Sequence, residues 1–222
     1  MKTPGIIFDL DGTLVDSVYQ HVSTWNDALL AARISIPQWR VHRAIGMSGT
    51  LFLPKLLRDG GFRHSPDFVK RLEAAHQKRF NPLIAHINPL PGASELLKTL
   101  QKRSIPFAVA TSGGSRQTKR LLARFPDRPD CPVITADDVE AAKPAPDLFH
   151  VAAQKLEREP GDCFIVGDSV WDVLAGSRMK AAVVALRTGG FDGAELQGAG
   201  AYRVYADPLE LSQSLGQLGL AA

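Results

Sequence analysis

The sequence predicts an α/β protein in which a parallel β-sheet is interrupted by an inserted helical segment. Three observations support this. From residue 89 onward, short apolar runs alternate with helical patterns, which is typical of βαβ units. The runs lack alternating polar residues, as expected of strands buried on both faces. Before residue 89, about seventy residues show helical spacing and no strand pattern. These patterns predict a Rossmann-like core domain of residues 1–16 and 89–222 and a helical domain of residues 17–88.

The first predicted strand, residues 6–8, ends in two carboxylates, Asp9 and Asp11, followed by Gly12. Glycine permits a sharp turn at that point. Two carboxylates at one strand end repel each other unless a cation or a proton lies between them. Aspartates that only form turns and caps are the alternative. A Mg²⁺ site would use both, because hard cations take carboxylate oxygens. One aspartate could then act as a nucleophile and the other as a general acid or base.

Helical spacing dominates the following segment. Between residues 17 and 32 the apolar residues recur at intervals of three and four, which predicts an amphipathic helix with Ser17 as its N-cap. Pro66 precedes the longest predicted helix. In all, helices are predicted over residues 17–32, 41–45, 51–57 and 67–80.

Strands and helices alternate in the remainder of the chain. Further strands are predicted over residues 105–110, 132–135, 163–166, 182–186 and 202–205. Further helices are predicted over residues 93–103, 115–124, 146–156, 170–179 and 208–218. In a parallel sheet of this kind, functional residues lie in the loops beyond the carboxyl ends of the strands.

Polar residues follow the second predicted strand at this edge of the sheet. Thr111 and Ser112 precede Gly113 and Gly114, which lie just ahead of a predicted helix. A hydroxyl group and glycine amides in this position could cradle a phosphate. A helix N-cap on a flexible turn is the alternative.

Charged residues mark two further loops. Pro144 and Pro146 follow Lys143 closely and restrain the backbone around it. Lys143 could be a solvated surface lysine. Alternatively, its ammonium could lie between a carboxylate nucleophile and a phosphate and neutralise both. Asp168 follows the fourth predicted strand and could complete an oxygen shell around Mg²⁺. Asp172 either supports that site or interacts with the dipole of the helix that it begins.

Four segments resemble, in order and at similar spacing, the motifs of haloacid dehalogenase-like hydrolases, most of which are Mg²⁺-dependent phosphatases. Residues 9–17 match the pattern Asp-x-Asp-Gly-Thr-Leu-x-Asp-Ser without a departure. Residues 109–113, Val-Ala-Thr-Ser-Gly, match the second motif, although many members have Asn where Ser112 stands. The third and fourth are Ala-Ala-Lys-Pro-Ala-Pro-Asp-Leu-Phe at 141–149 and Val-Gly-Asp-Ser-Val-Trp-Asp at 166–172.

The resemblance implies a role for each matched residue. Asp9 would attack phosphorus and become an aspartyl phosphate, and Asp11 would protonate the leaving oxygen and then activate water. The Mg²⁺ cofactor would be held by Asp9, Asp11 and Asp168, with Asp172 supporting Asp168. The residues that bind phosphate would be Thr111, Ser112, Gly113 and Lys143.

Residues 17–88 are similar to the α-helical cap that closes over the site in this family and supplies substrate contacts. His21 and Trp25 share one face of the first helix, and Gly46 and Ser48 lie in a flexible polar turn. In similar proteins both regions touch substrate, so these four are candidate substrate-binding residues. Ordinary packing within the cap and a simple helix stop are the alternatives.

The charge distribution is uneven along the chain. The 222 residues carry a net charge of +3, but residues 17–88 contain ten Lys/Arg and four Asp/Glu. A basic segment above an acidic site could attract a small anionic, phosphorylated substrate. Nucleic acid is the competing partner, but no nucleic-acid motif or aromatic interleaving accompanies the charge, so no nucleic acid is expected.

Composition and cysteine content suit a cytoplasmic protein. Hydrophobic residues make up 45% and charged residues 22%, which is ordinary for a globular protein. Without an apolar stretch of 18 residues, no membrane association is expected. The first strand begins after four residues, which leaves no room for a signal peptide. Cys131 and Cys163 each lie beside an apolar run and are expected to be reduced. The oligomeric state is not readable from the sequence.

Together these features predict a Mg²⁺-dependent phosphomonoester hydrolase that resembles phosphoglycolate phosphatases. A β-phosphoglucomutase-like isomerase shares the motifs and the cap. It would need a cap site for a second phosphate, and Arg43 is the cationic residue nearest the Gly46 turn. A binding protein that kept the fold but lost turnover is the other alternative, against which the complete set of charged motif residues argues.

Overall fold

The computed structural model describes residues 3–220. In that part of the chain, six strands form one parallel sheet with the order β3-β2-β1-β4-β5-β6. They are β1 (Gly5–Phe8), β2 (Phe107–Ala110), β3 (Val133–Ile134), β4 (Cys163–Gly167), β5 (Ala182–Leu186) and β6 (Arg203–Tyr205). The predicted α/β fold with a Rossmann-like sheet is therefore confirmed.

Helices alternate with these strands and fill the insert after β1. They are α1 (Val18–Ala31), α2 (Gln38–Ala44), α3 (Gly49–Asp59), α4 (Pro66–Leu83), α5 (Ala93–Lys102), α6 (Ser115–Leu122), α7 (Asp147–Lys155), α8 (Val170–Met179), α9 (Gly193–Gly198) and α10 (Pro208–Gln213). Among the described residues, no helix combines the length and the hydrophobicity needed to cross a bilayer.

Two stretches differ from the predicted elements. The short helix α9 connects β5 to β6 where no helix was predicted, and the Asp192 side chain caps it by accepting from the Ala194 N–H at 2.9 Å. The final predicted helix is divided, because α10 ends at Gln213 and a 3₁₀ turn, Leu215–Leu218, follows. Segments this short contain too few apolar residues to show a helical period.

Both faces of the sheet are buried under helices. Along β1, Ile7 packs into a hydrophobic cluster with Leu148 on one face, whereas Ile6 and Phe8 pack into a second cluster with Leu96 on the other. This alternation follows from the two-residue period of a strand. It explains why the strand is apolar at every position, as predicted.

Helices α1–α4 bury a third hydrophobic cluster of their own, which includes Trp25, Leu29, Leu53, Leu57 and Leu72. The apolar spacing of these helices therefore serves packing within the insert. That residues 17–88 form a separate domain is consistent with this cluster and stays a prediction.

The strand order brings three of the predicted loops together. Strand β1 lies between β2 and β4, and Phe8 pairs with Val109 on one side and Val166 on the other. Asp9 directly follows Phe8, while Thr111 and Asp168 come two residues after the paired valines. Because parallel strands end at the same edge of the sheet, the side chains that follow them converge there.

Candidate active site

Asp9 lies at the centre of this edge and is 3% exposed. Its backbone N–H donates to the carbonyl of Val166 at 2.8 Å, which continues the β1–β4 ladder by one residue. Its Oδ1 forms an ion pair with Lys143. Burial, together with repulsion from Asp172, raises the pKa of Asp9 to about 7 although Lys143 opposes the shift. The carboxylate is thus held in a site where a positive partner decides whether it is ionised.

Lys143 supplies that positive charge from the loop before α7. Its side chain is fully buried, and its Nζ lies 2.8 Å from Oδ1 of Asp172 in addition to the pair with Asp9. Burial disfavours the ammonium, but Asp172 and Asp9 outweigh burial and raise the pKa of Lys143 above its ordinary value. Lys143 is therefore a fixed cation between two carboxylates.

Asp168 and Asp172 lie beside Asp9, after β4. Asp168 accepts a hydrogen bond from Thr13 Oγ1 at 2.7 Å. Oδ2 of Asp172 accepts from the backbone N–H of Ser169 at 3.1 Å and from its hydroxyl at 2.6 Å, as part of a capping box at the start of α8. Burial and repulsion from Asp172 and Asp9 raise the pKa of Asp168 well above its ordinary value.

These carboxylates fit a hard cation. Asp9, Asp168 and Asp172 each place an oxygen within 4.8 Å of the others, and Lys143 is their one ammonium partner among the described residues. Three buried carboxylates with one ammonium carry excess negative charge, and oxygen donors of this kind suit Mg²⁺. The grouping differs from the predicted ligand set, because it contains Asp172 and lacks the side chain of Asp11.

The partners of Asp172 explain that difference. Its two oxygens are engaged by Ser169 and Lys143, so its contacts run to the lysine rather than to Asp168, which it was expected to support. Asp9 and Asp168 are therefore the carboxylates best able to turn toward a cation. The roles of Asp9, Asp11 and Asp168 as ligands stay predictions.

Asp11 faces the helical insert instead. Its Oδ1 accepts from the hydroxyl of Ser17 at 2.5 Å and lies 3.3 Å from Nε2 of His21, which must carry the proton because a carboxylate only accepts. Burial alone would raise the pKa of Asp11, but these two hydrogen bonds and the His21 charge hold it below its ordinary value. Ser17 occupies the N-cap position of α1 without capping the helix by its side chain, contrary to prediction.

Behind His21 lies a second histidine that the sequence reasoning missed. Nδ1 of His21 lies 3.1 Å from Nε2 of His76, on α4. The His76 ring stacks on Trp25 with 4.0 Å between centroids, and the His21 ring stacks on Phe80 at 3.8 Å. Burial lowers the pKa of His76 to about 2, and His21 adds to the effect. The signal was present, because His76 lies four residues before Phe80 and four after Leu72 on the apolar face of α4.

The predicted phosphate loop lies opposite this histidine pair. The Gly113 N–H donates to Oγ1 of Thr111 at 3.0 Å, and the Ser112 hydroxyl donates to the carbonyl of Gly46 at 3.4 Å. A Cβ on Gly113 would lie 3.9 Å from Oδ2 of Asp11, so the loop approaches that carboxylate closely. Ser112 thus contacts the helical insert, whereas Thr111 orders its own turn.

A cavity of about 150 Å³, here called the active-site pocket, separates the sheet edge from the insert. Its sheet side is lined by Asp9, Asp11, Thr111, Ser112, Gly113 and Lys143. Its helix side includes the predicted residues His21, Trp25 and Gly46, together with His76. Gln117, at the start of α6, also lines the pocket and was not predicted. It had no sequence signal, because a lone glutamine on a helix is usually solvated.

Ser48 does not line the pocket, and its contact with substrate stays a prediction. Its backbone N–H donates to the carbonyl of Lys143 at 2.7 Å, and its hydroxyl lies 2.7 Å from that of Thr50. Ser48 therefore joins the insert to the lysine loop. Asp168 and Asp172 are likewise outside the pocket lining, although an oxygen of each lies within 4.8 Å of Asp9.

The family follows from these motifs and this geometry. The haloacid dehalogenase-like hydrolase family matches residues 3–180. The chain therefore belongs to this family, and the predicted family membership is confirmed.

Named relatives fall into more than one activity class. The phosphoglycolate phosphatase of Xylella fastidiosa (strain 9a5c) is 31% identical over 178 residues, which are 77% of this chain and 74% of that protein. The β-phosphoglucomutase of Bacillus subtilis (strain 168) is 31% identical over 172 residues, 74% of each protein. A bifunctional riboflavin kinase/FMN phosphatase of Arabidopsis thaliana is 30% identical, but the match spans 48% of this chain and only 29% of that longer protein.

A solved structure shares nearly the whole fold. A hydrolase from Pseudomonas syringae is 44% identical, with a TM-score of 0.93 over 97% of this chain and 99% of that one. The similarity covers the sheet and the helical insert alike, so both belong to one conserved architecture.

Proposed function

We propose that this protein is a Mg²⁺-dependent phosphatase that hydrolyses small phosphorylated metabolites through an aspartyl phosphate on Asp9, the type of reaction expected of the phosphoglycolate phosphatases that it resembles. The broader class is given by the family and its phosphatase relatives, and the protein is a phosphoric monoester hydrolase. The observation that carries the finer proposal is the buried ion pair between Asp9 and Lys143 at the floor of a pocket that also contains Asp11.

In the proposed first step, a carboxylate oxygen of Asp9 forms a bond to phosphorus while the bond from phosphorus to the alcohol oxygen breaks. Lys143 holds Oδ1, so Oδ2 is the attacking oxygen. The fixed ammonium offsets the repulsion between this carboxylate and the incoming phosphate. Asp11 transfers its proton to the leaving alcohol.

Asp11 must first acquire that proton, because its hydrogen bonds favour the ionised form. The negative charge of a bound phosphate, close to Gly113 and Asp11, would raise the pKa of Asp11 on substrate binding. In the second step Asp11 removes a proton from water, the water oxygen attacks phosphorus, and the Asp9 carboxylate leaves.

Mg²⁺ would be held by Asp9 and Asp168, with Asp11 as the further predicted ligand, and it would supply positive charge to the phosphoryl oxygens. Asp172 contributes by keeping Lys143 charged and positioned. Thr13 orients Asp168 by a hydrogen bond.

Residues 17–88 would act as a cap domain over the pocket. Several hydrogen bonds join the insert to the sheet domain, including those from Ser48 N–H to the Lys143 carbonyl and from Trp171 Nε1 to the Arg43 carbonyl, at 2.7 and 3.0 Å. Contacts of this kind favour a closed arrangement of the cap over the pocket. Closure would keep bulk water away from the aspartyl phosphate, so that only the water molecule positioned by Asp11 attacks it.

The mutase alternative needs a cation on the cap side of the pocket. Arg43, the predicted candidate, instead pairs with Glu195 and lies over the Phe191 ring at 4.2 Å. It does not line the active-site pocket. This position favours water over a second phosphorylated sugar as the acceptor. A cytoplasmic location and the absence of a nucleic-acid partner remain predictions from the sequence.

The test compares phosphate release with isomerisation. With Mg²⁺, the protein is expected to release phosphate steadily from a panel of small phosphate esters that includes 2-phosphoglycolate and sugar phosphates. It should not convert β-glucose 1-phosphate to glucose 6-phosphate, even with catalytic glucose 1,6-bisphosphate. Isomer formation that far outruns phosphate release would overturn the phosphatase proposal and leave Asp9 as the nucleophile.

A second measurement addresses the intermediate. Acid quenching during turnover of a ³²P-labelled ester should leave label on the protein that hydroxylamine releases, as expected of an acyl phosphate. An Asp9→Asn variant should carry no such label. Equal labelling of the two proteins would exclude Asp9 as the acceptor.

A further inference from the structure

We propose that the active-site pocket selects phosphate esters whose alcohol part is small and uncharged, and that it discriminates against esters that carry a second anionic group. This inference rests on the proposed function, because it concerns the alcohol that leaves when Asp9 accepts the phosphoryl group. It narrows the substrate class and separates this chain from relatives named for anionic substrates.

The first support is the lack of a free cation. Among the described residues that line the pocket, Lys143 is the one lysine or arginine. Its side chain is fully buried, and Asp9 and Asp172 already neutralise it. The phosphoryl group would approach Asp9 and Lys143, so no lysine or arginine remains to receive a second anion.

The two histidines of the pocket do not supply that cation either. Both ring nitrogens of His21 are engaged, one with His76 and the other with Asp11. Neither ring nitrogen of His21 is therefore free to bind a second anion. Burial keeps His76 neutral by lowering its pKa to about 2.

Three basic residues of the insert have their partners outside the pocket. Arg43 pairs with Glu195, Lys55 pairs with Asp59, and the Arg40 guanidinium donates to the carbonyl of Asp59 at 2.9 Å. None of the lysines and arginines of residues 17–88, all of which the structure describes, lines the pocket, so their positive charge can attract anions to the surface without contacting the alcohol part of a bound ester.

The helix side of the pocket offers an apolar surface with few polar groups. Trp25, Ile45, Met47 and Phe52 contribute to it. Gln117 adds a neutral amide, whose Nε2 lies 3.5 Å from Nε2 of His21. An amide can donate to or accept from a hydroxyl group, so this surface suits a short alcohol or polyol.

Electrostatics and size point in the same direction. A carboxylate on the alcohol part would share the pocket with Asp9 and Asp11, and burying a charge without a partner is costly. The cavity of about 150 Å³ also lies below the range of about 300–1,000 Å³ typical of pockets for larger ligands. Small, neutral alcohols satisfy both limits.

The experiment uses pairs of esters that differ in one group. Glycerol 3-phosphate is compared with 3-phosphoglycerate, and 2-hydroxyethyl phosphate with 2-phosphoglycolate, by measuring phosphate release with Mg²⁺. In each pair a hydroxymethyl group replaces a carboxylate of similar size. We expect kcat/KM to be about tenfold or more higher for the neutral ester, because the charged ester leaves an anion unpaired in the pocket.

A variant supplies the missing cation. Gln117→Lys places an ammonium in the pocket, and the ratio of the two kcat/KM values should shift toward the carboxylate ester by about tenfold. Gln154→Lys, at an exposed position on α7, makes the same change in net charge outside the pocket. It should leave the ratio as in the wild type, which distinguishes a local partner from long-range attraction.

The outcomes separate the two proposals. Phosphate release that is equal or faster for the carboxylate esters, or an unchanged ratio in Gln117→Lys, would overturn the inference about selectivity and leave the phosphatase proposal intact. No phosphate release from any ester with Mg²⁺ would overturn the proposed function, and the inference with it.

Discussion

The sheet side of the active-site pocket concentrates charge, whereas the helix side is aromatic and apolar. Asp9, Asp11 and Lys143 lie on the sheet side, where Lys143 pairs with Asp9 and Asp172 while Asp11 bonds to Ser17 and His21. Trp25 and Phe52 lie opposite, on helices that pack around a cluster of their own. Transfer of a phosphoryl group needs charges at fixed positions, and buried strand ends provide them. The aromatic and apolar surface of the helix side instead suits selection of the alcohol.

Removing the metal should have the largest effect and should act on the sheet side alone. EDTA is expected to reduce phosphate release below detection, and Mg²⁺ should restore it, because Asp9, Asp168 and Asp172 carry more charge than Lys143 offsets. Ca²⁺ should support only slow turnover, since its coordination shell is larger and looser. Asp168→Ala should raise the Mg²⁺ concentration needed for half-maximal activity. Activity that survives exhaustive chelation would contradict the metal requirement.

Asp9→Asn should have the second-largest effect on activity. Loss of the attacking oxygen should lower kcat by about 10³-fold or more, because catalytic groups that act as a unit give large effects. Thermal unfolding should remain cooperative. Asp162→Asn, at an exposed position before β4, is the matched control and should keep its activity. An Asp9→Asn enzyme with more than a tenth of the wild-type rate would rule out the covalent mechanism.

Asp11 lies at the boundary between the sheet side and the helix side of the pocket. Asp11→Asn should lower activity less than Asp9→Asn does, and the size of the loss should depend on the substrate. For an alkyl phosphate, loss of general acid and base catalysis should lower kcat by about 10²-fold or more. For p-nitrophenyl phosphate the loss should be smaller, because its leaving group barely needs a proton. Equal losses for the two esters would argue against Asp11 as the acid.

His76 provides a test on the helix side, where we expect an effect on stability rather than on the chemistry. The folded protein keeps His76 neutral down to about pH 2, whereas the unfolded chain binds a proton below about pH 6.5. Between these values unfolding takes up a proton, so this histidine lowers the free energy of unfolding by about 1.4 kcal/mol per pH unit as the pH falls.

The measurement is denaturant unfolding of His76→Phe between pH 4 and pH 8. The phenyl ring preserves the stack on Trp25 but cannot bind a proton, so the free energy of unfolding should depend less steeply on pH below 6.5 than in the wild type. His64→Gln, at an exposed position, should leave the dependence unchanged. A His76→Phe slope equal to that of the wild type would show that His76 is protonated in the folded state.

The sheet side could be predicted largely from local pattern. Asp9 directly follows β1 and Asp168 directly follows β4. In a parallel sheet, residues that follow the strands meet at one edge. The pattern did not reveal how the carboxylates divide their contacts. Asp172 was assigned to Asp168, but its oxygens contact Lys143 and Ser169, because the loop that carries Lys143 passes beside α8.

The helix side was only partly predictable. His21 and Trp25 were correctly placed on one face of α1, and both line the pocket. Ser48 was expected there and is not, while Phe52, one turn further along α3, is. His76 lies 55 residues from His21 in the chain, and sequence periodicity cannot predict a contact between residues so far apart.

The sequence by itself determined the order of the strands and of the helices other than α9, the apolar core of each strand and the charged residues at the strand ends. These depend on short-range periodicity and on the rule that parallel strands finish at one edge. The tertiary structure alone decided which face of each inserted helix meets the pocket, that Arg43 and Lys55 pair with Glu195 and Asp59, and that Asp11 bonds to Ser17 and His21. The physical reason is that the rotation and position of a packed helix are set by contacts between residues far apart in the chain.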